Sequence, residues 1–265
     1  MKRRAFLLAT LFAALPVHGR TERFARGLLW RVAKDGVPAS HVYGTIHVAD
    51  ARLAELPGAV RQSFDAAKSL MLEFVPDAYS RERFLEAPIG LSREVVNKLK
   101  PWGVLLNLRN PGRAEQGAAL DRQPLELARA RRLPLAQIEG VEEQIFTFDE
   151  FPMESQVALL KHSLAHRDEL TELAERTLEA YLERDLGAIW RLREQFAARH
   201  PQIAPHQAVM TKRVVLDRSV VMAFRMQREL RRGRAFVAIG ALHLYGAKGV
   251  LALLERDGYR AQRLY

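Results

Sequence analysis

The sequence predicts an α/β fold, a mixed sheet with flanking helices, in which two pseudo-duplicated βαβ halves enclose a central helical insertion. The first observation is a device that occurs near each end of the chain: an apolar run ending in Gly-x-x-His, a helix-like stretch, then a second β-like run. In the first copy Val42-Tyr43-Gly44-Thr45-Ile46-His47 leads through residues 56–68 to Leu70-Met71-Leu72-Glu73-Phe74-Val75. In the second, residues 235–239 run into Gly240-Ala241-Leu242-His243, followed by residues 249–256 and 259–265. The second observation is that residues 143–200, between the copies, read as helix throughout. Strands alternating with helices at both ends, with a helical insertion between, imply an α/β sandwich around a mixed sheet.

Each element has a local reason. Residues 28–32 and 41–48 are β-like runs on either side of the turn-forming Lys34-Asp35-Gly36, which predicts a hairpin. Residues 56–68 place Val60, Phe64 and Ala67 on one helical face. Residues 70–75 are nearly continuously apolar, the signature of a strand covered on both faces. A helix is expected over residues 92–99, stopped by Pro101, and a loop at Asn110-Pro111-Gly112-Arg113. Asp121 is placed to cap a helix whose first turn holds Pro124, and residues 134–138 give another β-like run closed by Glu139. Amphipathic stretches at 156–164, 170–182 and 186–198 are broken at Arg167-Asp168 and at Asp185. After a loop marked by Pro201 and Pro205, one long helix is expected from about 207 to 230.

At 265 residues the chain is long enough to bury a full core. With 48% hydrophobic and 27% charged residues it has the balance of a folded protein. It contains no cysteine, which excludes disulfides, thiolate metal sites and a cysteine nucleophile. Any metal must be held by nitrogen and oxygen. Lys2-Arg3-Arg4 followed by an apolar stretch over residues 5–17 reads as an export signal, with cleavage after Gly19. Arg3-Arg4-Ala5-Phe6-Leu7 also fits a twin-arginine signal, so the general secretory and twin-arginine routes both stay open. The expected organisation is a signal peptide over residues 1–19 and one α/β domain over 20–265, in a periplasmic or secreted protein without a membrane span in its mature part. Losing Lys2, Arg3 and Arg4 leaves 38 basic against 31 acidic residues, a formal charge of +7 instead of +10. The basic cluster at residues 225–234 has no nucleic-acid motif or interleaved aromatics beside it, so it reads as a solvated face and nucleic acid is not an expected partner.

Ligand sites in open α/β sheets gather at the carboxyl ends of strands. His47 and His243 are predicted there, each in a tight turn after a glycine that lets the chain turn sharply and lets another element approach. Glu73 falls in an apolar run, where an unpaired carboxylate costs several kcal/mol, so it should pair, neutralise or bind a cation. Glu139 repeats the situation at the end of residues 135–138, and for each the alternative is a strand end pointing into water. Arg218 either holds a carboxylate or oxyanion or forms a surface salt bridge with Asp217 or Glu229. His162 and His166 have the i, i+4 spacing of a helical metal pair but lack the glutamate of the zinc-protease motif, so an exposed polar face is the expectation. No serine sits in a Gly-x-Ser-x-Gly elbow. Two imidazoles with one or two carboxylates describe a site for zinc, manganese, cobalt or iron, and metal-assisted hydrolysis is the reaction that uses these parts best.

These residues are also where a resemblance enters. Leu29-Trp30, Gly44-Thr45-Ile46-His47, the Glu73 strand, Leu120-Asp121, Ile138-Glu139-Gly140-Val141-Glu142-Glu143-Gln144, Asp217-Arg218 and Gly240-Ala241-Leu242-His243-Leu244-Tyr245-Gly246 together resemble the TraB/GumN family. That family is related to the Tiki proteins and, more distantly, to ChaN-like and erythromycin-esterase-like proteins. The resemblance implies that the paired Gly-x-x-His motifs share one active site with an acidic residue and an arginine. Tiki members are described as proteases dependent on manganese or cobalt, and TraB-type members are linked to shutting off peptide pheromones. Carried over, His47, His243 and Glu73 become the metal ligands, with Glu73, Glu139 and Arg218 as catalytic candidates. The expectation is a divalent-metal hydrolase (manganese, cobalt or zinc) acting on a peptide or protein. The rivals are a protein that sequesters a peptide or haem-like ligand without turnover, and an ester or lactone hydrolase. Two departures stand out: Arg218-Ser219 replaces the Arg-Asn of many relatives, and Gly140 stands where they usually have threonine.

Overall fold

The hairpin forms around a two-residue turn. Strands β1 (Leu29–Lys34) and β2 (Val37–Thr45) pair antiparallel, and Gly36 turns between them at φ +75°, an angle open to glycine at no steric cost. The computed structural model describes residues 22–48, 50–75, 100–109 and 122–265, with the backbone alone at 106–109 and 122. The expected export signal, the helix over 92–99, the loop at 110–113 and the Asp121 cap lie outside the described residues.

Strands β3 (Ser69–Leu72), β4 (Leu135–Gln137), β5 (Ala235–Gly240) and β6 (Arg260–Arg263) complete a six-stranded sheet of order β4-β3-β5-β2-β1-β6 among the described residues. Neighbours from β4 to β2 run parallel, and β1 is antiparallel to both β2 and β6. The sheet is therefore mixed, as predicted. Its central strand, β5, is apolar almost throughout and buried from Ala235 to Ile239, because helices cover both faces of a parallel strand. Helix α1 (Gly58–Asp65) turns Val60 and Phe64 inward, and the Phe64 ring stands edge-on to Phe236 at 5.4 Å.

The strands that carry the two Gly-x-x-His turns are direct neighbours, with Gly44 opposite Ile239 and Thr45 opposite Gly240. Beyond the histidines the two βαβ units part. The first returns through α1 to β3, past β5, whereas the second returns to β6 on the other side, past β2 and β1.

Helices α2 (Pro101–Arg109) and α3 (Arg122–Ala130) lie within the connection from β3 to β4. The insertion follows as α4 (Val141–Asp149), α5 (Met153–Ala165), α6 (Arg167–Leu182), α7 (Leu186–Arg199) and α8 (Ala204–Thr211). The break at Asp185 is a helix start, since its carboxylate accepts from Ala188 N at 2.7 Å. The other break falls at His166, one residue before the expected position. Leu105, Phe151, Leu159, Phe196 and Ile203 form a second, smaller core there.

The long helix expected from 207 to 230 is divided. A π-helical stretch, Lys212–Asp217, separates α8 from α9 (Arg218–Arg225), and α10 (Gln227–Arg232) follows. The final unit is β5, α11 (Val250–Arg256) and β6. The basic cluster in this region is partly paired, Arg225 with Glu143 and Arg232 with Glu229, each at 2.6 Å.

Gly44 has no left-handed φ; its role is close approach. A Cβ there would lie 2.6 Å from Leu244 Cδ1 and 3.1 Å from Ala241 Cα, inside the turn of the second copy. Tyr181 of the insertion donates to the Gly44 carbonyl at 2.8 Å and holds the same point from the helical side. Replacing Gly44 with alanine should therefore cost about 1–3 kcal/mol, seen as a lower urea midpoint. An unchanged midpoint would mean the two turns do not pack as described.

Candidate functional site

Four parallel strands end along one edge of the sheet, and each delivers one of the predicted polar side chains. Glu139 follows β4, Glu73 follows β3, His243 follows β5 and His47 follows β2. The two acidic strand ends are held level by the sheet itself, since Glu139 N donates to the Glu73 carbonyl at 2.9 Å. The fifth predicted residue, Arg218, opens α9 immediately after the π stretch.

Arg218 binds both carboxylates. Its Nη2 donates to Glu73 Oε2 at 2.9 Å and to Glu139 Oε2 at 2.6 Å, and its Nε reaches the two Glu139 oxygens at 3.2 and 3.0 Å. The Nη1 donates to the Val214 carbonyl at 3.3 Å. The alternative of a surface pair with Asp217 or Glu229 is not what forms: Asp217 takes Lys212 and Glu229 takes Arg232.

The second oxygen of Glu73 meets the other histidine turn. Gly240 N donates to Glu73 Oε1 in a short hydrogen bond. The absence of a side chain at Gly240 makes room for this, since a Cβ there would stand 3.1 Å from that oxygen and 3.5 Å from His243 Cδ2. His243 Nε2 lies 3.9 Å from Glu73 Oε1, beyond hydrogen bonding. Its other nitrogen, Nδ1, is 3.2 Å from the Val215 carbonyl and 2.9 Å from Ser219 Oγ. Ser219 in turn donates to Val215 at 2.7 Å, so its oxygen receives from the ring. Val215 offers only a carbonyl, which places the imidazole proton on Nδ1 and a lone pair on Nε2.

The local electrostatics agree with that assignment. Burial pushes the Glu73 carboxyl up, but His243, Arg218, His47 and the Gly240 N–H outweigh it and bring its pKa down to about 2. Burial lowers His243 to about 4 against the opposing pull of Glu73, so its ring is neutral at physiological pH. Burial also works against the Arg218 cation, yet the hydrogen bonds and charges of Glu139 and Glu73 raise its pKa above the ordinary value. His47, half-buried two residues beyond β2, stands close enough to act electrostatically on both Glu73 and His243.

Of the residues singled out from the sequence, Glu73, Glu139, Arg218 and His243 thus meet at one edge with His47 in electrostatic reach, while His162 and His166 lie apart in the insertion. Sequence reasoning missed the roles of Ser219 and Val215, although the departure from Arg-Asn at 218–219 marked the place. π-Helical turns recur where a helix must present groups irregularly, and this one carries the carbonyls of Val214 and Val215 to Arg218, Ser219 and His243. Gly140, the second departure, begins α4 without a capping side chain; Glu143 accepts from Gly140 N at 2.8 Å and is itself held by Arg225 at 2.6 Å. One expectation is overturned. His162 is not part of an exposed face but is 7% exposed, because Phe196 and His200 pack against it.

Comparison with known proteins yields one match. The sequence model of the TraB/PrgY/gumN family matches residues 28–88 and 80–263. No curated protein and no solved structure matches the chain.

Arg218→Met should leave the buried Glu139 carboxylate and the largely covered Glu73 carboxylate facing each other and cost about 3–5 kcal/mol in urea unfolding; a loss below about 1 kcal/mol would mean that the network is solvated. The acid dependence has a definite sign. Glu73 and His243 both hold protons less tightly folded than unfolded. His243 supports the fold fully above about pH 6.5 and loses that support as pH falls towards about 4, and Glu73 does so from about 4.5 towards about 2. In chelator, His243→Gln should flatten the urea midpoint between pH 6.5 and 4 relative to the parent. A parent whose midpoint is already flat there would contradict the buried neutral ring.

Proposed function

The chain belongs to the TraB/PrgY/gumN family, and from the geometry of the strand-edge site we propose that it is an exported, divalent-metal-dependent hydrolase that cleaves a peptide or protein. The observation that carries this reading is the meeting of a neutral histidine, its lone pair on Nε2, with an ionised carboxylate 3.9 Å away and a second histidine in electrostatic reach of both. The donor set fits a cation. His47, His243 and Glu73 supply nitrogen and oxygen only, and two carboxylates against one guanidinium leave a formal charge of −1 around them. Manganese, cobalt or zinc held by these three residues would polarise a carbonyl and activate water.

The roles of the remaining residues follow from their contacts. Glu73, with so low a proton affinity, is suited to holding a cation and poorly suited to accepting a proton at neutral pH. Both oxygens of Glu139 are bound by Arg218, which makes Glu139 a positioning residue for the guanidinium. Arg218 has five N–H groups. Those on Nε and Nη2 go to Glu73 and Glu139, and Nη1 reaches Val214. Its first role is to hold Glu73 in place, with the other Nη1 hydrogen left for charge that develops on the substrate. Ser219 and Val215 keep His243 in the tautomer that turns a lone pair towards Glu73. Peptide as substrate rests on the resemblance to the Tiki proteases, and export rests on the signal-like residues 1–19.

The test is cleavage of a mixed peptide library by the purified chain with manganese, cobalt or zinc. Cleavage is expected to need added metal, to stop with chelator, and to fall at least about 1,000-fold in kcat/KM for both His47→Ala and His243→Ala. Cleavage that survives both variants would overturn the assignment. Intact peptide retained regardless of chelator would replace the hydrolase with a binding protein. Turnover of small esters with none of peptides would move the reaction to esters.

A further inference from the structure

A second cluster of imidazoles lies in the helical insertion. One ring nitrogen from each of His162, His166 and His200 lies within 4.8 Å of the other two. The His162 and His166 rings stack with centroids 4.0 Å apart, and His200 stands edge-on to them at 4.5 and 4.8 Å. We propose that these three histidines form a second cation site, for zinc or a similar borderline divalent ion. It would be independent of the strand-edge site and would tie the α5–α6 joint to the end of α7.

Four features support a cation there. First, the cluster sits where two helices end. His162 is in the last turn of α5 and His166 is its C-cap, and His200 is the C-cap of α7. Both helices direct the negative ends of their dipoles at the same spot, offset in part by the positive end of α6, whose N-cap is also His166. Second, hydrogen bonds set the tautomers of two rings. His166 Nδ1 is 3.1 Å from the His162 carbonyl, and His200 Nε2 is 3.0 Å from Glu169 Oε2. In the neutral form that a metal requires, each of these acceptors holds the N–H at the nitrogen facing it, which leaves the lone pairs on Nε2 of His166 and Nδ1 of His200.

Third, Glu169 behind His200 is the carboxylate that commonly orients and strengthens a metal-binding histidine. Fourth, the cluster is largely shielded from water. His162 and His200 are 7% and 8% exposed, and the Phe196 ring lies 5.8 and 4.6 Å from theirs. Three imidazoles are a donor set that zinc, copper and nickel accept. Donors around zinc sit about 3.4 Å apart when the bonds are about 2.1 Å. To reach that spacing the nitrogens would have to close by little more than about an ångström.

Zinc titration by calorimetry separates this site from the other. In the full chain carrying His47→Ala with His243→Ala, one equivalent of zinc should still bind and should raise the unfolding temperature. Adding His166→Ala, at the half-exposed member, should weaken that binding at least about 100-fold, and His200→Gln should do the same. Glu169→Gln should weaken it about 10-fold to 100-fold, the usual effect of losing such a partner. No zinc bound by the double variant, or affinity unmoved by both His166→Ala and His200→Gln, would overturn the proposal. Because the background already lacks His47 and His243, neither outcome depends on the strand-edge site.

Discussion

One guanidinium between two carboxylates sets the geometry of the edge where the four parallel strands end. Glu73 and Glu139 leave adjacent parallel strands side by side, and without a cation their charges would repel across a poorly hydrated gap. Arg218 fills that gap at 2.6 to 2.9 Å and arrives from the far end of the helical insertion. The ion network therefore joins the sheet to one residue that lies 79 positions from Glu139 and 145 from Glu73 in sequence. Such a cluster is costly to desolvate and gains little over an apolar replacement. Its persistence at the carboxyl ends of the strands fits a site better than a structural staple.

The histidine turns are organised around the same carboxylate. Gly44 admits the second turn against the first, and Gly240 admits Glu73 against the second. Glu73 is thereby held by Arg218 on one oxygen and by the Gly240 N–H on the other, with His243 Nε2 nearby. The π stretch contributes from the opposite side, because the Val215 carbonyl and Ser219 fix the proton of His243 on Nδ1. Insertion and sheet thus determine the protonation state of one ring jointly.

Much of this was legible in the sequence because it depends on short-range patterns. The repeated Gly-x-x-His, the apolar run through Glu73 and the hairpin turn at Gly36 each announce themselves within ten residues. A shared site for the two copies was the inference from the repeat; that their strands β2 and β5 are direct neighbours was not legible, because parallel pairing between distant segments leaves no local pattern. The glycines were read as sharp turns as well as close approaches; at Gly44 and Gly240 only the approach operates. The π stretch was read as continuous helix, since nothing in the composition of Lys212–Asp217 distinguishes it from the helix on either side. His162 was expected on a polar face because its burial comes from His200 and Phe196, residues more than thirty positions away. Tertiary contacts of that range leave no trace in local periodicity.

The central claim is that His243 is buried, neutral and turned with its lone pair towards Glu73. Long-range proton–nitrogen spectra of the ring nitrogens in metal-free protein at about pH 5.5 measure this directly. The account predicts a neutral ring with the proton on Nδ1, persisting until the pH approaches about 4. A ring that is cationic at pH 5.5, or neutral with its proton on Nε2, would contradict it.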